Sequence, residues 1–336
     1  MASVSVLLPF LNPGHKLGRA IESIIKQTFL DWELILINNG SDDESLEIAM
    51  KFCDQNDRIK LITETEKGIV PALNKGLQHC QSPYIARMDA DDISLPGRLE
   101  LQYKFLETNS HIHLCAGRVK HISDNKSKTD GYQYYIDWIN SLLTHSQIFK
   151  YRFLESPIAH PSVMFRSSCI SDWGGYRNGD FPEDYELWLR WLERGAIMAK
   201  IPEFILLWDD TPTRLSRTDL RYSTEAFFQT KLTYIDNWLR KHNPYYPEIV
   251  IWGAGKVARK KAGKLQEMGY KILFYIDIDP RKARRSDCEM YTEINKPGKF
   301  FILSLTGSRG AFSYIEEYLT ELGFVNGRDF LLAAGF

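Results

Sequence analysis

Long apolar runs are missing from this chain of 336 residues. Nowhere do about 18 uninterrupted apolar residues occur, so no membrane-spanning helix is expected. Cysteine is scarce. The five that occur (Cys53, Cys80, Cys115, Cys169, Cys288) are odd in number and widely spaced, with no CxxC pair and no histidine cluster beside them. Such a set supports neither a disulfide framework nor a zinc site, and it fits a reducing compartment. Excess charge of one sign is also absent: 42 Lys and Arg stand against 43 Asp and Glu, a formal net charge of -1. No global field therefore draws the chain to nucleic acid or to an anionic membrane, and any polyanion must be met locally. The apolar run Val4–Leu11 contains Pro9 and has no basic segment before it, so it does not read as a signal core. A cytoplasmic protein is expected, with peripheral contact at the cytoplasmic face of a membrane left open. There are no internal repeats and no low-complexity segments.

What is present is ordinary globular composition, 44% hydrophobic and 25% charged, on a length that suits roughly two domains. Val4–Pro9, Glu33–Asn38, Ile59–Thr63 and Tyr84–Asp89 read as buried strands. Helical faces lie between them, at Leu17, Ala20, Ile21, Ile24 and Ile25, and at Ile69, Ala72, Leu73, Gly76, Leu77 and Cys80. Strand–helix alternation predicts an α/β fold with a mostly parallel sheet flanked by helices, its ligands beyond the carboxyl ends of the strands. Polar loops follow there, at Asn12–His15, Asn38–Glu44 and Asp89–Ser94. From Gly131 to Phe153 an aromatic-rich helix reads as core, a lid or a partner surface. A strand at Pro161–Arg166, a helix at Glu183–Arg194 and an amphipathic helix at Arg221–His242 complete this part. Asn243, Pro244 and Pro247 then read as a linker.

Three clusters could carry chemistry. Asp89, Asp91 and Asp92 follow an apolar strand, and in an extended chain Asp89 and Asp91 would share a face. Paired hard oxygens at a sheet edge suit Mg²⁺ or Mn²⁺ carrying a diphosphate, although an acidic turn or helix cap reads the same way. The loop Asn38–Asp43 can offer amides and carboxylates to a base or ribose, and the Asn39 amide can both donate to and accept from a uracil edge. Pro182, Glu183 and Asp184 open a helix with Asp184, Leu187, Trp188, Trp191 and Leu192 on one face and Glu186 and Arg190 on the other. Acids in a first turn are favoured by the helix dipole, but an acid on the apolar side is not thereby explained. Such a carboxylate could serve as a general base toward a hydroxyl.

The motifs VSVLLPFLN, QTFLDWELILINNGSDDES, KGIVPALNKGLQHCQSPYIARMDADD, HPSVMF with GGY shortly after, and EDYELWLRW occur in that order. With them the chain from Ser3 to about Ser216 resembles family 2 of the inverting nucleotide-sugar glycosyltransferases, which have the GT-A fold. The resemblance implies that Pro9, Asn12 and Asn74 line the nucleotide pocket, and that the loop from Asn39 to Asp43 holds base and ribose. Asp89 and Asp91 match the DxD pair that binds ribose and the metal-bridged diphosphate, and Asp184 matches the catalytic base. His160, Gly174, Gly175, Tyr176 and Glu183 fall on the sugar and acceptor side. Two departures stand out. The family usually has Asp where Asn39 stands, which bears on the base bound, and its SxSR-like stretch reads Thr213, Arg214, Leu215, Ser216, Arg217. Arg214 and Arg217 are thus candidates for pairing phosphate, with ordinary surface charge as the alternative. The implied reaction is a metal-dependent single displacement with inversion, using Mn²⁺ or Mg²⁺. It would move a hexose-type sugar from a nucleotide-sugar donor, a UDP-sugar in the first instance, to a saccharide or lipid-linked saccharide acceptor in capsule or lipopolysaccharide synthesis.

The resemblance does not cover the end of the chain. From Ile249 onward there are 14 basic and 10 acidic residues, against 28 and 33 before it. The strand Ile249–Trp252 runs into Gly253, Ala254 and Gly255, and a second strand ends at Asp277. This spacing matches a dinucleotide fingerprint, and a strand at Phe300–Ser304 with a helix at Phe312–Leu322 continues a small Rossmann-like pattern. The glycines could equally just make a tight turn. Gly253, Gly255 and Asp277 form a candidate second nucleotide site, with NAD as its ligand. An NAD-dependent sugar or sugar-nucleotide oxidoreductase is the alternative function. The expected domains are a GT-A domain over 1–218, helix and linker over 219–247, and a Rossmann-like domain over 248–336.

Overall fold

The structure, a computed structural model, describes residues 2–122, 130–210 and 214–335. It divides into two compact units, Met1–Ile148 with Pro157–Thr230, and Phe149–Ser156 with Lys231–Phe336.

The first unit begins with β1 (Val4–Phe10), α1 (Lys16–Ile25), β2 (Trp32–Asn38), α2 (Ser45–Gln55), β3 (Ile59–Thr63), α3 (Ile69–His79) and β4 (Tyr84–Arg87). Next come β5 (Ile93–Ser94), α4 (Arg98–Thr108), β6 (Leu114–Ile122), α5 (Asp130–Ser141), α6 (His145–Tyr151), β7 (Met164–Arg166), α7 (Ser168–Trp173), α8 (Glu183–Glu193) and β8 (Met198–Asp209). The short α9 (Leu215–Thr218) precedes α10 (Thr224–His242). One eight-stranded sheet runs β3-β2-β1-β4-β7-β6-β8-β5. It is mostly parallel, with β7 antiparallel to both β4 and β6, and β5 antiparallel to β8.

Every residue of β1 and β2 is buried, as continuous apolar runs covered on both faces must be. Leu17, Ala20, Ile21 and Ile24 bury one side of α1. On α3 the close approach is made at Gly76, where a Cβ would stand 2.1 Å from Leu7 Cδ1 and 2.7 Å from Ile37 Cδ1. Because β2, β1 and β4 are adjacent and parallel, their carboxyl ends share one edge, and the loops bearing Asn12, Asn39 and Asp89 leave from it.

Several expected elements change on folding. The strand read as Tyr84–Asp89 stops at Arg87, and Pro161–Arg166 shortens to β7 behind a 3₁₀ turn at His160–Ser162. The long strands β6 and β8 were not legible. β8 contains Pro202, and the β6/β8 register shifts around Gly117–Val119, so neither strand alternates cleanly. The aromatic stretch forms two helices instead of one, with Trp138 and Ile139 buried in the first unit and Phe153 in the second.

The second unit contains β9 (Glu248–Trp252), α11 (Lys256–Glu267), β10 (Lys271–Asp277), α12 (Pro280–Ala283), β11 (Cys288–Met290), β12 (Ile302–Ser304), α13 (Ala311–Glu321) and β13 (Phe330–Leu332). Its sheet runs β11-β10-β9-β12-β13 with every pair parallel. That is a doubly wound order reversing beside β9. β11 and β13, three residues each, escaped the sequence reading. Buried Lys231 Nζ donates to the carbonyls of Phe153 and Leu154 at 2.9 and 2.8 Å, which ties α10 to Phe149–Ser156. All five cysteines are unpaired. Among the described residues no helix is long and apolar enough to cross a membrane.

Candidate active site

The chain leaves the sheet after Arg87 and turns at Ala90–Asp91. That turn, not the pleat of an extended strand, gathers the acids, and it brings in a third. Oxygens of Asp89, Asp91 and Asp92 all lie within 4.8 Å of one another. Asp92 is 1% exposed; its Oδ1 accepts the Asp209 N–H at 2.9 Å, while its Oδ2 is buried without a partner. Asp89 pairs with the buried guanidinium of Arg87. Arg214, just before α9, donates to Tyr132 Oη at 2.9 Å and lies 4.7 Å over the Trp208 ring. Burial works against its charge, but Tyr132 and the three aspartates outweigh burial and hold it firmly protonated.

The same crowding acts on the acids. Burial, then the neighbouring Asp89, pushes the Asp91 carboxyl up to about 6, against the opposing field of Arg214. Burial, Asp89 and Asp91 raise Asp92 as well. A group of hard oxygens that is short of positive charge, with one buried oxygen unpartnered, fits a divalent cation. Asp89, Asp91 and Asp92 are the residues that would hold it.

Across the site, α8 opens with Glu183 and Asp184. Glu183 is 3% exposed and accepts from Tyr222 Oη at 2.6 Å. Asp184 is partly buried, and its Oδ1 accepts the Tyr185 N–H at 2.7 Å. Burial first, then the charge of Glu183, lifts the Asp184 carboxyl to about 8, against the Tyr185 N–H and Arg87. Burial raises Glu183 too. His160 Nε2 lies 2.7 Å from Tyr176 Oη, both buried, and burial together with Arg87 keeps this imidazole neutral.

Asn74 binds the Tyr176 backbone twice, donating to its carbonyl at 2.9 Å and accepting its N–H at 3.0 Å. A Cβ on Gly175 would stand 2.8 Å from Asn74 Oδ1, so the GGY turn is a packed contact, not just punctuation. The expected two-faced α8 proves buried on both sides. Arg190, 2% exposed, donates to the carbonyls of Trp173, Gly174 and Gly175 and to Glu186, which anchors that turn from below.

On the nucleotide side Pro9 is buried within β1. Asn12, at φ 52°, exchanges hydrogen bonds with Asp42, donating to Oδ1 at 2.6 Å and accepting the Asp42 N–H at 2.9 Å. Asp43 accepts from the N–H groups of Gly14 and Ser45; burial is outweighed by the Ser45 side chain and these bonds, and the carboxyl sits below its ordinary range. The Asn39 amide donates to the carbonyls of Glu64 and Glu66 and accepts the Gly68 N–H at 2.7 Å. In this structure it braces the loop after β3. Beyond that loop a cavity of about 380 Å³ is lined by Glu64, Glu66, Asn74, Gln78 and Asn178 among others.

Residues 5–172 match the model of glycosyl transferase family 2. The chain belongs to this family.

The glycosyltransferase is 32% identical over 240 residues to the putative glycosyltransferase EpsE of Bacillus subtilis, which covers 70% of this chain and 78% of that one. It is 34% identical over 188 residues to the O-antigen biosynthesis glycosyltransferase WbnJ of Escherichia coli, 56% of this chain and 70% of that one. It is 36% identical over 226 residues, 56% of its length, to the bifunctional glycosyltransferase pgtA of Dictyostelium discoideum, and there it spans only 29% of the relative. Among solved structures, residues 1–349 of S. aureus TarS in complex with UDP-GlcNAc superpose with a TM-score of 0.56 at 16% identity, over 70% of this chain and 66% of that one. That likeness shares the fold, with the GT-A sheet as expected.

Of the glycosyltransferase's predicted site residues, the fold brings Asp89, Asp91 and Arg214 together on one side, and Asp184, Glu183, His160 and Tyr176 on the other. Arg217 instead pairs with Asp210, its Nε 2.9 Å from Oδ1, and Thr213 lies outside the described residues. Three residues of the candidate site, Arg87, Tyr132 and Tyr222, escaped the sequence reading, while Asp92 was read with the acidic cluster but not carried into the metal pair. Arg87 had a signal, a charge inside an otherwise apolar strand. Tyr132 was lost in an aromatic run, and Tyr222 lay in the stretch expected as helix and linker, where nothing marked it.

In the second unit the turn after β9 has Gly253 at φ +116°, with a Cβ position 2.7 Å from Thr306 Oγ1. Asp277 Oδ2 accepts the Ala254 N–H at 2.8 Å, and Lys282 Nζ lies 3.2 and 3.1 Å from the two carboxylate oxygens. The acid that would read a ribose is thus already bound by its own chain.

Proposed function

We propose that this glycosyltransferase transfers a sugar, with inversion, from a UDP-sugar to a hydroxyl of a saccharide or lipid-linked saccharide in the assembly of a surface polysaccharide, and that it needs Mn²⁺ or Mg²⁺. The observation that carries the reading is the placement of one acid, Asp184, with its carboxyl raised by burial, across from a three-aspartate cluster faced by Arg214. Asp184 takes the proton of the acceptor hydroxyl as it attacks, and a single attack inverts the anomeric centre. A bound cation would supply charge stabilisation for the departing diphosphate. Arg214 adds a fixed positive charge on the same side, and Asn74 and Arg190 hold the Gly174–Tyr176 turn against which the sugar packs. The donor class is supported by the UDP-GlcNAc in the TarS complex, and the polysaccharide role by the O-antigen biosynthesis of WbnJ. Melting of the protein against UDP, GDP, dTDP, CMP and NAD, with and without Mn²⁺, tests it. Stabilisation by UDP that requires Mn²⁺ is expected, about 2.7 kcal/mol at a hundredfold excess over Kd. Stabilisation by NAD alone would overturn the reading.

A further inference from the structure

The cavity of about 380 Å³ beside α3 lies wholly within the first unit. Its size falls among the roughly 300–1,000 Å³ of small-molecule sites. The floor is one side of α3, where Pro71, Asn74, Lys75 and Gln78 follow the i, i+3, i+4, i+7 spacing of a single helical face. One wall is the loop after β3, which leaves the same carboxyl edge of the sheet as the loops after β1, β2 and β4. The other wall is Asn178, just past the GGY turn. Both walls are fixed. Asn39 clamps the loop through the Glu64 and Glu66 carbonyls and the Gly68 N–H, and Glu64 Oε1 accepts the Glu66 N–H at 2.8 Å. Asn74 clamps the Tyr176 backbone, and Tyr176 Oη lies 2.7 Å from His160 Nε2. The turn that bounds the cavity therefore also carries a side chain of the half-site that contains His160.

The lining selects a class of ligand. Two carboxylates, Glu64 and Glu66, stand against one ammonium, Lys75, so the local charge opposes a diphosphate. No aromatic ring lines the cavity, so a nucleobase would find nothing to stack on. The side chains of Glu66, Lys75, Gln78 and Asn178 make no hydrogen bond or ion pair with any described residue, which leaves their donors and acceptors to water or to a ligand. Carboxylate, ammonium and amides spread over one cavity suit a neutral molecule rich in hydroxyls, and Val70 and Pro71 add apolar surface for its C–H face. We propose that this cavity binds a saccharide unit of the acceptor, next to the sugar whose hydroxyl is attacked, and so selects which acceptor is used. The proposal rests on the reading of the chain as a transferase to a saccharide hydroxyl.

The test is saturation-transfer difference NMR of the methyl glycosides of glucose, galactose, mannose, rhamnose and N-acetylglucosamine with the full chain. UDP and Mg²⁺ are present to fill the nucleotide side without paramagnetic broadening. At least one glycoside should receive saturation from the wild type. Gln78→Trp, an exposed substitution that fills the cavity, should abolish that signal, and Glu66→Ala should weaken binding about tenfold, the effect of one hydrogen bond to a charged group. Melting curves report whether each variant folds, and if Gln78→Trp does not, Glu66→Ala decides. Silence of every glycoside with the wild type, or a signal that survives undiminished in a folded variant, overturns the proposal. The melting shift given by UDP with Mg²⁺ on the same sample tests the transferase reading separately. Its absence would remove that reading, and this proposal with it, whereas a shift with silent glycosides removes this proposal alone.

Discussion

Both units set an acid at the carboxyl end of a parallel strand, and the two acids end in opposite conditions. Asp277, after β10, accepts the Ala254 N–H and pairs with Lys282, and although burial resists it, these partners hold its carboxyl below the ordinary range. Asp92 and Asp91 after β4 are held above it by burial and by the neighbouring acids, with one Asp92 oxygen unpartnered. One acid is satisfied by its own chain, and the other keeps a buried oxygen without a partner. A fingerprint in sequence records backbone geometry, whereas binding needs valence that the fold leaves open.

The largest effect expected from this contrast is on Asp184→Asn, which should lower transfer about 10³-fold with the fold intact, measured as nucleotide release. Next, Asp91→Asn should weaken Mn²⁺-dependent donor binding about 100-fold, read from melting shifts, because it removes a ligand and part of the charge. Retained metal-dependent binding there would erase the distinction between the two acids.

A third test is titration. With its carboxyl lifted to about 8, Asp184 gives kcat/KM an acid limb near that pH, below which the base is protonated. Folding carries the opposite sign. Between pH about 4, where a free aspartate ionises, and about 8, the folded form binds the extra proton, so Asp184 costs stability as pH rises through that window. The melting temperature of Asp184→Asn should therefore gain on wild type between pH 5 and 8.5.

Smaller effects separate the two units. Gly76→Ala, pressed between Leu7 and Ile37, should destabilise the first unit by about 1–3 kcal/mol by thermal unfolding. In the second unit, Asp277→Asn should leave transfer unchanged and cost under about 1 kcal/mol, since Lys282 is partly exposed. Loss of transfer in Asp277→Asn would show that the second acid is not the quiet one.

Much of the sheet core was legible because β1 and β2 are unbroken apolar runs and α1 and α3 keep one apolar face. The donor-side acids were legible because their motif is local: DADD sits within four residues, and ED opens a helix. β6 and β8 were not, since a bulge and Pro202 blur their period, and their partners lie far away in sequence. The extended-chain argument put Asp89 and Asp91 on one face of a strand, whereas a turn at Ala90–Asp91 gathers them together with Asp92.

From the sequence alone came the family, the α/β class and the identity of the acids, because those rest on local order and on motifs in succession. The tertiary structure alone decided which groups share a field. Arg87 and Tyr222 enter the candidate site, Asn39 turns to brace a loop, and Asp277 is satisfied within its own turn. Burial and electrostatics act through distance in space, and no spacing along the chain encodes that distance.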